Sequence, residues 1–151
     1  MTSTDESSSL GSSVDFDLAP ELTGALATLA DKIEQFAANN SISSTASFRL
    51  NLTLDELVTN CLNYALSEVD KPEIRVRLSC TPNGVIARLE DNGAPFNPFR
   101  DAPEPNTSPS LNERPVGGLG VFFVKQFTDV TSYERQGDVN RITLQINLEM
   151  T

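Results

Sequence analysis

Residues 74–89 alternate between apolar and polar side chains on both sides of a short turn, and this pattern restricts the chain to folds with an antiparallel sheet. Apolar residues occupy every second position over residues 74–80 and again over residues 85–89. Side chains of a strand point alternately to the two faces of a sheet, so each arm predicts a half-buried strand. Pro82-Asn83-Gly84 predicts the turn between them. The two arms therefore form a predicted β-hairpin.

Two segments on the N-terminal side of this hairpin have the spacing of helices. In the first, apolar residues recur every three or four positions as far as about residue 38, which lines one face of an amphipathic helix: Leu22, Leu26, Leu29, Ile33 and Phe36. A second helix is predicted over residues 44–66. Before the first helix, Val14, Phe16 and Leu18 alternate with acidic residues, which predicts a short edge strand.

The segment over residues 92–116 differs from its surroundings because it contains six of the nine prolines. A structureless loop of this length within a compact domain is usually a functional lid or is disordered. We place a lid at about residues 94–116 and expect it to be mobile without a ligand. A helix over residues 121–127 and two strands near residues 130–135 and 140–148 complete the chain.

The predicted order of elements is strand, helix, helix, hairpin, loop, helix, hairpin. This order predicts an α+β fold, a two-layer sandwich in which a mixed, mainly antiparallel sheet is covered on one face by about three helices. Residues 1–13 are acidic and rich in serine, a composition typical of a disordered tail. The folded domain should therefore span residues 14–150.

The composition excludes several classes of function. A formal net charge of −10 disfavours general binding to nucleic acid or to a membrane surface. The absence of histidine removes His-based acid–base catalysis and His metal ligands. Cys61 and Cys80 lie in apolar segments and are interpreted as buried free thiols, which indicates a reducing compartment. With no apolar run of transmembrane length and no signal peptide, a cytoplasmic location is expected.

The first group of residues that could carry chemistry lies on the second predicted helix. Glu56, Asn60 and Asn63 recur at i, i+4 and i+7, so they share one face of the helix. This polar stripe could simply face solvent. Alternatively it faces a ligand: an Asn oxygen is a suitable ligand for Mg²⁺, and a Glu one turn away could deprotonate a hydroxyl or a water.

The second group follows the predicted hairpin, at Asp91-Asn92-Gly93. The same tripeptide is common in ordinary turns. At the end of a strand, however, the Asp91 carboxylate could accept a hydrogen bond from an exocyclic amine such as adenine N6. Gly93 would let the backbone approach a flat base closely.

The third group, Gly117-Gly118-Leu119-Gly120, precedes the helix predicted after the loop. Backbone N–H groups of clustered glycines, together with a helix N-terminus, can surround phosphate oxygens. A hinge for the lid is the alternative interpretation, and the two roles are compatible. A Walker loop is excluded because no Gly-Lys-Ser/Thr follows, and Phe123 occupies the position of the third glycine of a dinucleotide fingerprint.

In this order, the three groups resemble the motifs of the GHKL ATPase superfamily, and within it the anti-sigma-factor serine/threonine kinases of bacteria. Residues 56–60 resemble the N box, residues 91–98 the first glycine box and the start of the lid, and residues 114–120 the second glycine box. Asp129, Tyr133, Arg135 and residues 140–144 resemble the closing strands, so the resemblance covers about residues 14–149. It implies the ATP-binding fold known as the Bergerat fold.

The resemblance also implies roles for individual residues. Asn60 would bind the Mg²⁺ that bridges the phosphates of ATP, and Glu56 would be the catalytic base for the attacking hydroxyl. Asp91 would bind the adenine amine with Gly93 packed near the base, and Thr143 would support that contact through water. Asn63 belongs to the same nucleotide site. The loop glycines would enclose the phosphates as the lid closes: Gly117, Gly118 and Gly120.

Partners follow from the same resemblance. Such kinases phosphorylate a serine of an anti-anti-sigma factor, a STAS-domain protein, and sequester a sigma factor, usually as homodimers. Tyr64 stands where these kinases commonly have His, and a Tyr cannot serve as a cation near neutral pH. Three alternatives stay open: a non-catalytic module that binds ATP and sequesters a partner, a water-directed ATPase, and the catalytic domain of a histidine kinase.

Overall fold

The computed structural model of the chain describes residues 12–101 and 127–147. Its strands are β1 (Ser13–Leu18), β2 (Ile74–Thr81), β3 (Gly84–Asp91), β4 (Val130–Gln136) and β5 (Val139–Asn147). Its helices are α1 (Leu22–Asn39), α2 (Ser44–Asn60), one π-helical turn that continues α2 (Cys61–Ala65), and the short α3 (Pro98–Asp101). These elements follow the predicted order. Residues 1–11, most of the predicted lid and residues 121–126 of the predicted helix lie outside the described residues.

The five described strands form one open sheet in the order β1-β2-β3-β5-β4. Each neighbouring pair is antiparallel, so this part of the chain contains no parallel pair of strands. The predicted α+β fold is confirmed, and so is the predicted hairpin, because β2 and β3 pair from Ile74↔Asp91 to Thr81↔Gly84. The edge strand β1 begins at Ser13, one residue before its predicted start.

The core lies between one face of the sheet and the two long helices. The apolar alternation of each strand points its buried side chains to this inner face, which includes Val76, Leu89 and Leu144. Leu29 of α1 and Leu57 of α2 are fully buried against them. Side chains on the inner face are therefore the ones that can share a site with residues of α2.

The outer face of the sheet carries charged side chains in a cross-strand row. Arg75 pairs with Asp17 at 3.2 Å, and Arg141 pairs with Glu90 at 2.5 Å and with Glu134 at 3.0 Å. Opposite charges on adjacent strands favour the observed register, although exposed pairs contribute only about 0–1 kcal/mol each. The row marks this face as the solvated side of the sheet.

The end of α2 is joined to the turn that follows β3. The π-helical turn leaves the carbonyl of Ala65 free to accept a hydrogen bond from Ala94 N at 2.9 Å. Gly93 packs so closely that an added Cβ would lie 2.5 Å from the carbonyl carbon of Ala65. Only glycine permits this approach. The contact brings the second predicted group of residues to the C-terminal end of α2. None of the described helices is long and apolar enough to span a bilayer.

Candidate active site

Glu56 and Asn60 lie one turn apart on α2, as their spacing predicts. Asn60 Nδ2 donates a hydrogen bond to Glu56 Oε2 at 3.3 Å. The Asn60 side chain is 1% exposed, and its Oδ1 has no hydrogen-bond partner among the described residues. A buried acceptor left without a partner destabilises the fold unless a ligand supplies the missing contact. Asn60 Oδ1 therefore fits a hard cation such as Mg²⁺ or a donor group of a ligand.

Burial changes the acid–base behaviour of Glu56. The pKa of this carboxyl is raised from 4.5 to about 7, chiefly by burial; the hydrogen bond from Asn60 lowers the pKa, and the nearby Asp55 charge raises it. Burial likewise raises the pKa of Asp55 from 3.8 to about 6. A carboxylate whose pKa lies near neutrality can accept a proton at cellular pH and release it again. Glu56 thus has the properties of a general base.

Asn63 has a different environment from Glu56 and Asn60. It lies on the π-helical turn and is exposed. The prediction that it shares a face with Glu56 assumed 3.6 residues per turn, whereas the π-turn is wider and shifts the positions after Asn60. Within residues 12–101 and 127–147, no hydrogen bond joins Asn63 to Glu56 or Asn60. Its role in a nucleotide site stays a prediction.

Asp91 ends β3 on the inner face and is 5% exposed. Its Oδ1 accepts hydrogen bonds from Gly93 N at 2.8 Å and from Asn140 Nδ2 at 2.9 Å. Its carboxylate also faces Cys61. Burial is the main cause that raises the pKa of the Cys61 thiol, and the charge and hydrogen bonding of Asp91 raise it further. Because Cys61 directly follows Asn60, the structure brings the first and second groups of predicted residues together.

Thr143 is not brought to this site. Its neighbours across the sheet are Arg88 and Ser132, and it alternates with the buried residues of β5, so its side chain lies on the outer face. Asn140 instead pairs with Asp91 on the inner face. The motif predicts a site role for Thr143, whereas the two-residue period of β5 places its side chain on the outer face. The signal was available: Ile142, Leu144 and Ile146 mark the inner face, and Asn140 shares their parity while Thr143 does not.

Three residues of the closing hairpin were not assigned individual roles from sequence, yet they contact the site. Tyr133 and Asn140 are joined by a hydrogen bond of 2.5 Å, and Arg135 Nη1 donates to Gly93 O at 2.6 Å. The side chain of Asn140 is 1% exposed. These contacts hold the turn after β3 against β4 and β5.

The described start of the predicted lid, residues 94–101, packs against the end of α2. The rings of Tyr64 and Phe96 stack with centroids 5.1 Å apart and planes 20° apart. Tyr64 is still 37% exposed. Residues 102–116 of the predicted lid and the three loop glycines, Gly117, Gly118 and Gly120, lie outside the described residues.

A cavity of about 430 Å³ opens at the same end of the sheet but on the side of β1–β3. Asp91 lines it together with Asp17, Glu73, Glu90 and Arg75, whereas neither Glu56 nor Asn60 does. An acidic wall of this kind repels phosphates. The inner side is the better candidate, because α2, which carries Glu56 and Asn60, approaches Asp91 there through Cys61. The described part of the chain holds no cluster of three Cys, Asp or Glu residues for a metal; the donor set suits a cation that is bound partly by phosphate oxygens and water.

Comparisons with known proteins address the family and the fold of the chain. The sequence profile of the histidine kinase-like ATPase domain matches residues 18–146. The chain is 30% identical over 112 residues to the serine/threonine-protein kinase BtrW of Bordetella bronchiseptica, and the match covers 74% of this chain and 78% of that protein.

Solved structures share the fold. A structure of the RsbU and RsbW domains of Rv1364c from Mycobacterium tuberculosis matches with a TM-score of 0.61 at 14% identity, covering 91% of this chain and 33% of that one. The histidine kinase domain of the blue-light activated histidine kinase EL346 from Erythrobacter litoralis matches with a TM-score of 0.52 at 19% identity, covering 83% of this chain and 60% of that one.

Proposed function

This chain belongs to the histidine kinase-like ATPase domain family, and from that premise we propose that it is a serine/threonine protein kinase that uses ATP with Mg²⁺. The observation that carries the proposal is the meeting of α2 and the end of β3. Asn60 and Glu56 lie on α2, and Cys61, next in the chain, faces the carboxylate of Asp91. This arrangement supports a single nucleotide site in which Asn60 and Glu56 would face the phosphates and Asp91 would face the adenine base.

The residues around Asn60 suit the polar end of the nucleotide. Asn60 Oδ1 is buried, lacks a partner among the described residues and is a hard neutral donor, so it would hold Mg²⁺. Bound there, Mg²⁺ would neutralise charge on the phosphates. Gly117, Gly118 and Gly120 are proposed to donate backbone N–H groups to the same phosphates, and Asn63 would lie at the edge of the site.

Asp91 is suited to bind the adenine base of the nucleotide. A carboxylate accepts hydrogen bonds, so it favours the exocyclic amine of adenine over the carbonyl of guanine at the same position. Gly93 supports this role indirectly, since its close contact with Ala65 fixes the turn that holds Asp91. The selectivity for ATP would therefore come from Asp91.

Glu56 would act on the protein substrate. As the serine Oγ forms a bond to the γ-phosphorus, the bond from that phosphorus to the β,γ-bridging oxygen breaks, and ADP leaves. The serine proton passes to the Glu56 carboxylate. A pKa of about 7 keeps a large fraction of Glu56 ionised at neutral pH, as this role requires. Positioning and charge stabilisation supply most of the remaining rate enhancement.

We propose a STAS-domain anti-anti-sigma factor as the substrate and a sigma factor as the sequestered partner, in the cytoplasm. The proposal is supported by the motifs shared with anti-sigma-factor kinases and by the similarity to BtrW, a serine/threonine-protein kinase. A homodimer is part of the same prediction.

The test is transfer of label from [γ-³²P]ATP to a purified STAS-domain partner. We expect label on serine with the wild type, at least a 100-fold slower rate with Glu56→Gln, and a near wild-type rate with the matched control Asp55→Asn. Bound ATP without label on any protein residue would contradict the kinase assignment.

A second candidate is a module that binds ATP and sequesters its partner without catalysis. Tyr64 favours it, because a Tyr stacked on Phe96 replaces the His that is common in such kinases. This candidate predicts capture of a sigma factor that depends on ATP, with no phosphoserine and no effect of Glu56→Gln on capture.

A further inference from the structure

We propose that Asn140 is a positioning residue that fixes the Asp91 carboxylate for adenine and couples this contact to the start of the predicted lid. The inference rests on the proposed binding of ATP and extends it to a residue that the motifs did not assign. Asn140 lies on β5 directly opposite Asp91 and is 1% exposed.

The amide of Asn140 uses its whole hydrogen-bonding capacity. Its Nδ2 donates to Asp91 Oδ1 at 2.9 Å and to Ala94 O at 2.8 Å. Its Oδ1 accepts from Tyr133 OH at 2.5 Å and from Phe96 N at 3.3 Å. Two acceptors face the nitrogen and two donors face the oxygen, so these contacts define the orientation of the amide.

No other residue type reproduces these four contacts. Asp has the same shape but cannot donate when ionised, Thr has a single O–H, and Leu would remove all four contacts. Replacing a buried amide with four hydrogen bonds should destabilise the fold. If Asn140 had only a structural role, stability is all that its replacement would change. A role in recognition must in addition change selectivity for the base.

The hydrogen bonds at Asp91 explain how Asn140 would affect selectivity. Gly93 N and Asn140 Nδ2 together occupy both lone pairs of Oδ1. The remaining acceptor capacity for a base therefore lies on Oδ2. An acceptor held in one place pairs with the amine of adenine and repels a carbonyl oxygen at the same position.

Two of the other three contacts of Asn140 lead to the predicted lid. Ala94 and Phe96 begin that segment, and Phe96 stacks on Tyr64 at the end of α2. A shift of the Asp91 carboxylate would disturb the same amide that holds these two residues. The bound base and the start of the lid are thereby connected through one side chain.

The experiment compares Mg²⁺-ATP with Mg²⁺-ITP, whose base carries a carbonyl in place of the amine. Dissociation constants are measured by titration calorimetry for the wild type, Asn140→Asp and Tyr133→Phe, and far-UV circular dichroism verifies folding. We expect the wild type to prefer ATP by about 100-fold, since a buried polar site rejects a mismatched analogue strongly.

In Asn140→Asp, a carboxyl oxygen replaces the amide donor to Asp91 Oδ1, so the contact that fixes the Asp91 carboxylate is lost. A carboxylate that is no longer fixed can turn away from the carbonyl oxygen of ITP, so the preference for ATP should fall at least tenfold. Tyr133→Phe removes one hydroxyl contact to Asn140 and should lower the preference about threefold, in line with a single weak hydrogen bond.

The outcomes separate the two proposals. A wild type that binds no ATP would overturn the proposed function and this inference with it. A wild type that selects ATP, with the same preference in folded Asn140→Asp, would overturn the inference alone. If Asn140→Asp does not fold, an unchanged preference in Tyr133→Phe overturns it.

Discussion

Replacement of Glu56 by Gln should stabilise the folded protein while slowing phosphoryl transfer at least 100-fold. Folding places this carboxyl in a half-buried position that raises its pKa from 4.5 to about 7. The ionised form is therefore disfavoured in the folded state, and Gln removes that cost. Gln also retains an acceptor for the hydrogen bond from Asn60, so the substitution changes the charge and little else.

The size of the effect follows from the pKa change. At about 1.4 kcal/mol for each tenfold change in ionisation, the rise amounts to roughly 3 kcal/mol. Solvent screens a half-buried group, so we discount this by about half, to roughly 1.5 kcal/mol. Below pH 4.5 the carboxyl is protonated in both states and the variant should match the wild type. The advantage should grow as pH rises from 4.5 and be complete above pH 7.

Urea unfolding without nucleotide at pH 4, 6 and 8 measures this difference. Asp55→Asn is the matched control, because burial raises the Asp55 pKa to about 6 and its removal should also stabilise the protein at pH 8. Only Glu56→Gln should slow phosphoryl transfer strongly. A Glu56→Gln variant whose free energy of unfolding relative to wild type is the same at pH 4 and pH 8 would refute the reasoning.

Two further predictions concern the contact between α2 and the start of the lid. Gly93→Ala should lower the free energy of unfolding by about 2–3 kcal/mol, because its Cβ would overlap the Ala65 carbonyl. Gly137→Ala, where φ is +60° and an added Cβ meets no atom within 4 Å, should cost only about 1 kcal/mol; equal losses in urea unfolding would be inconsistent with the close contact. A double-mutant cycle of Tyr64→Ala and Phe96→Ala should give a coupling energy of about 0.5–1.5 kcal/mol from ring stacking, and a value near zero would mean that the stack does not hold the lid start.

Local patterns in the sequence were sufficient to predict most of the fold. The alternation over residues 74–89 identified the hairpin, and the apolar spacing before it identified both long helices. These signals are reliable because a buried face imposes its period on every strand or helix that contributes to it. The family resemblance inferred from the motifs is confirmed by the profile match over residues 18–146.

The site was harder to predict where it depends on tertiary contacts. Glu56 and Asn60 are one turn apart on a single helix, so their spacing suffices. The contact of Asn140 with Asp91 joins residues 49 positions apart and depends on the register of β3 with β5. The motif alone predicts a site role for Thr143, but its side chain lies on the outer face because strand side chains alternate between faces. The π-turn at Cys61–Ala65 has no local sequence signal that distinguishes it from an ordinary helix end.

The central claim is that Asn60 on α2 and Asp91 at the end of β3 border a single nucleotide site, and calorimetric titration with ATP tests it most directly. Titrations with and without Mg²⁺ are compared for the wild type, Asn60→Ala and Asp91→Asn. We predict one saturable site in the wild type, loss of the Mg²⁺ dependence in Asn60→Ala, and at least tenfold weaker binding in Asp91→Asn with the Mg²⁺ dependence retained. Wild-type affinity and Mg²⁺ dependence in both folded variants would contradict the claim.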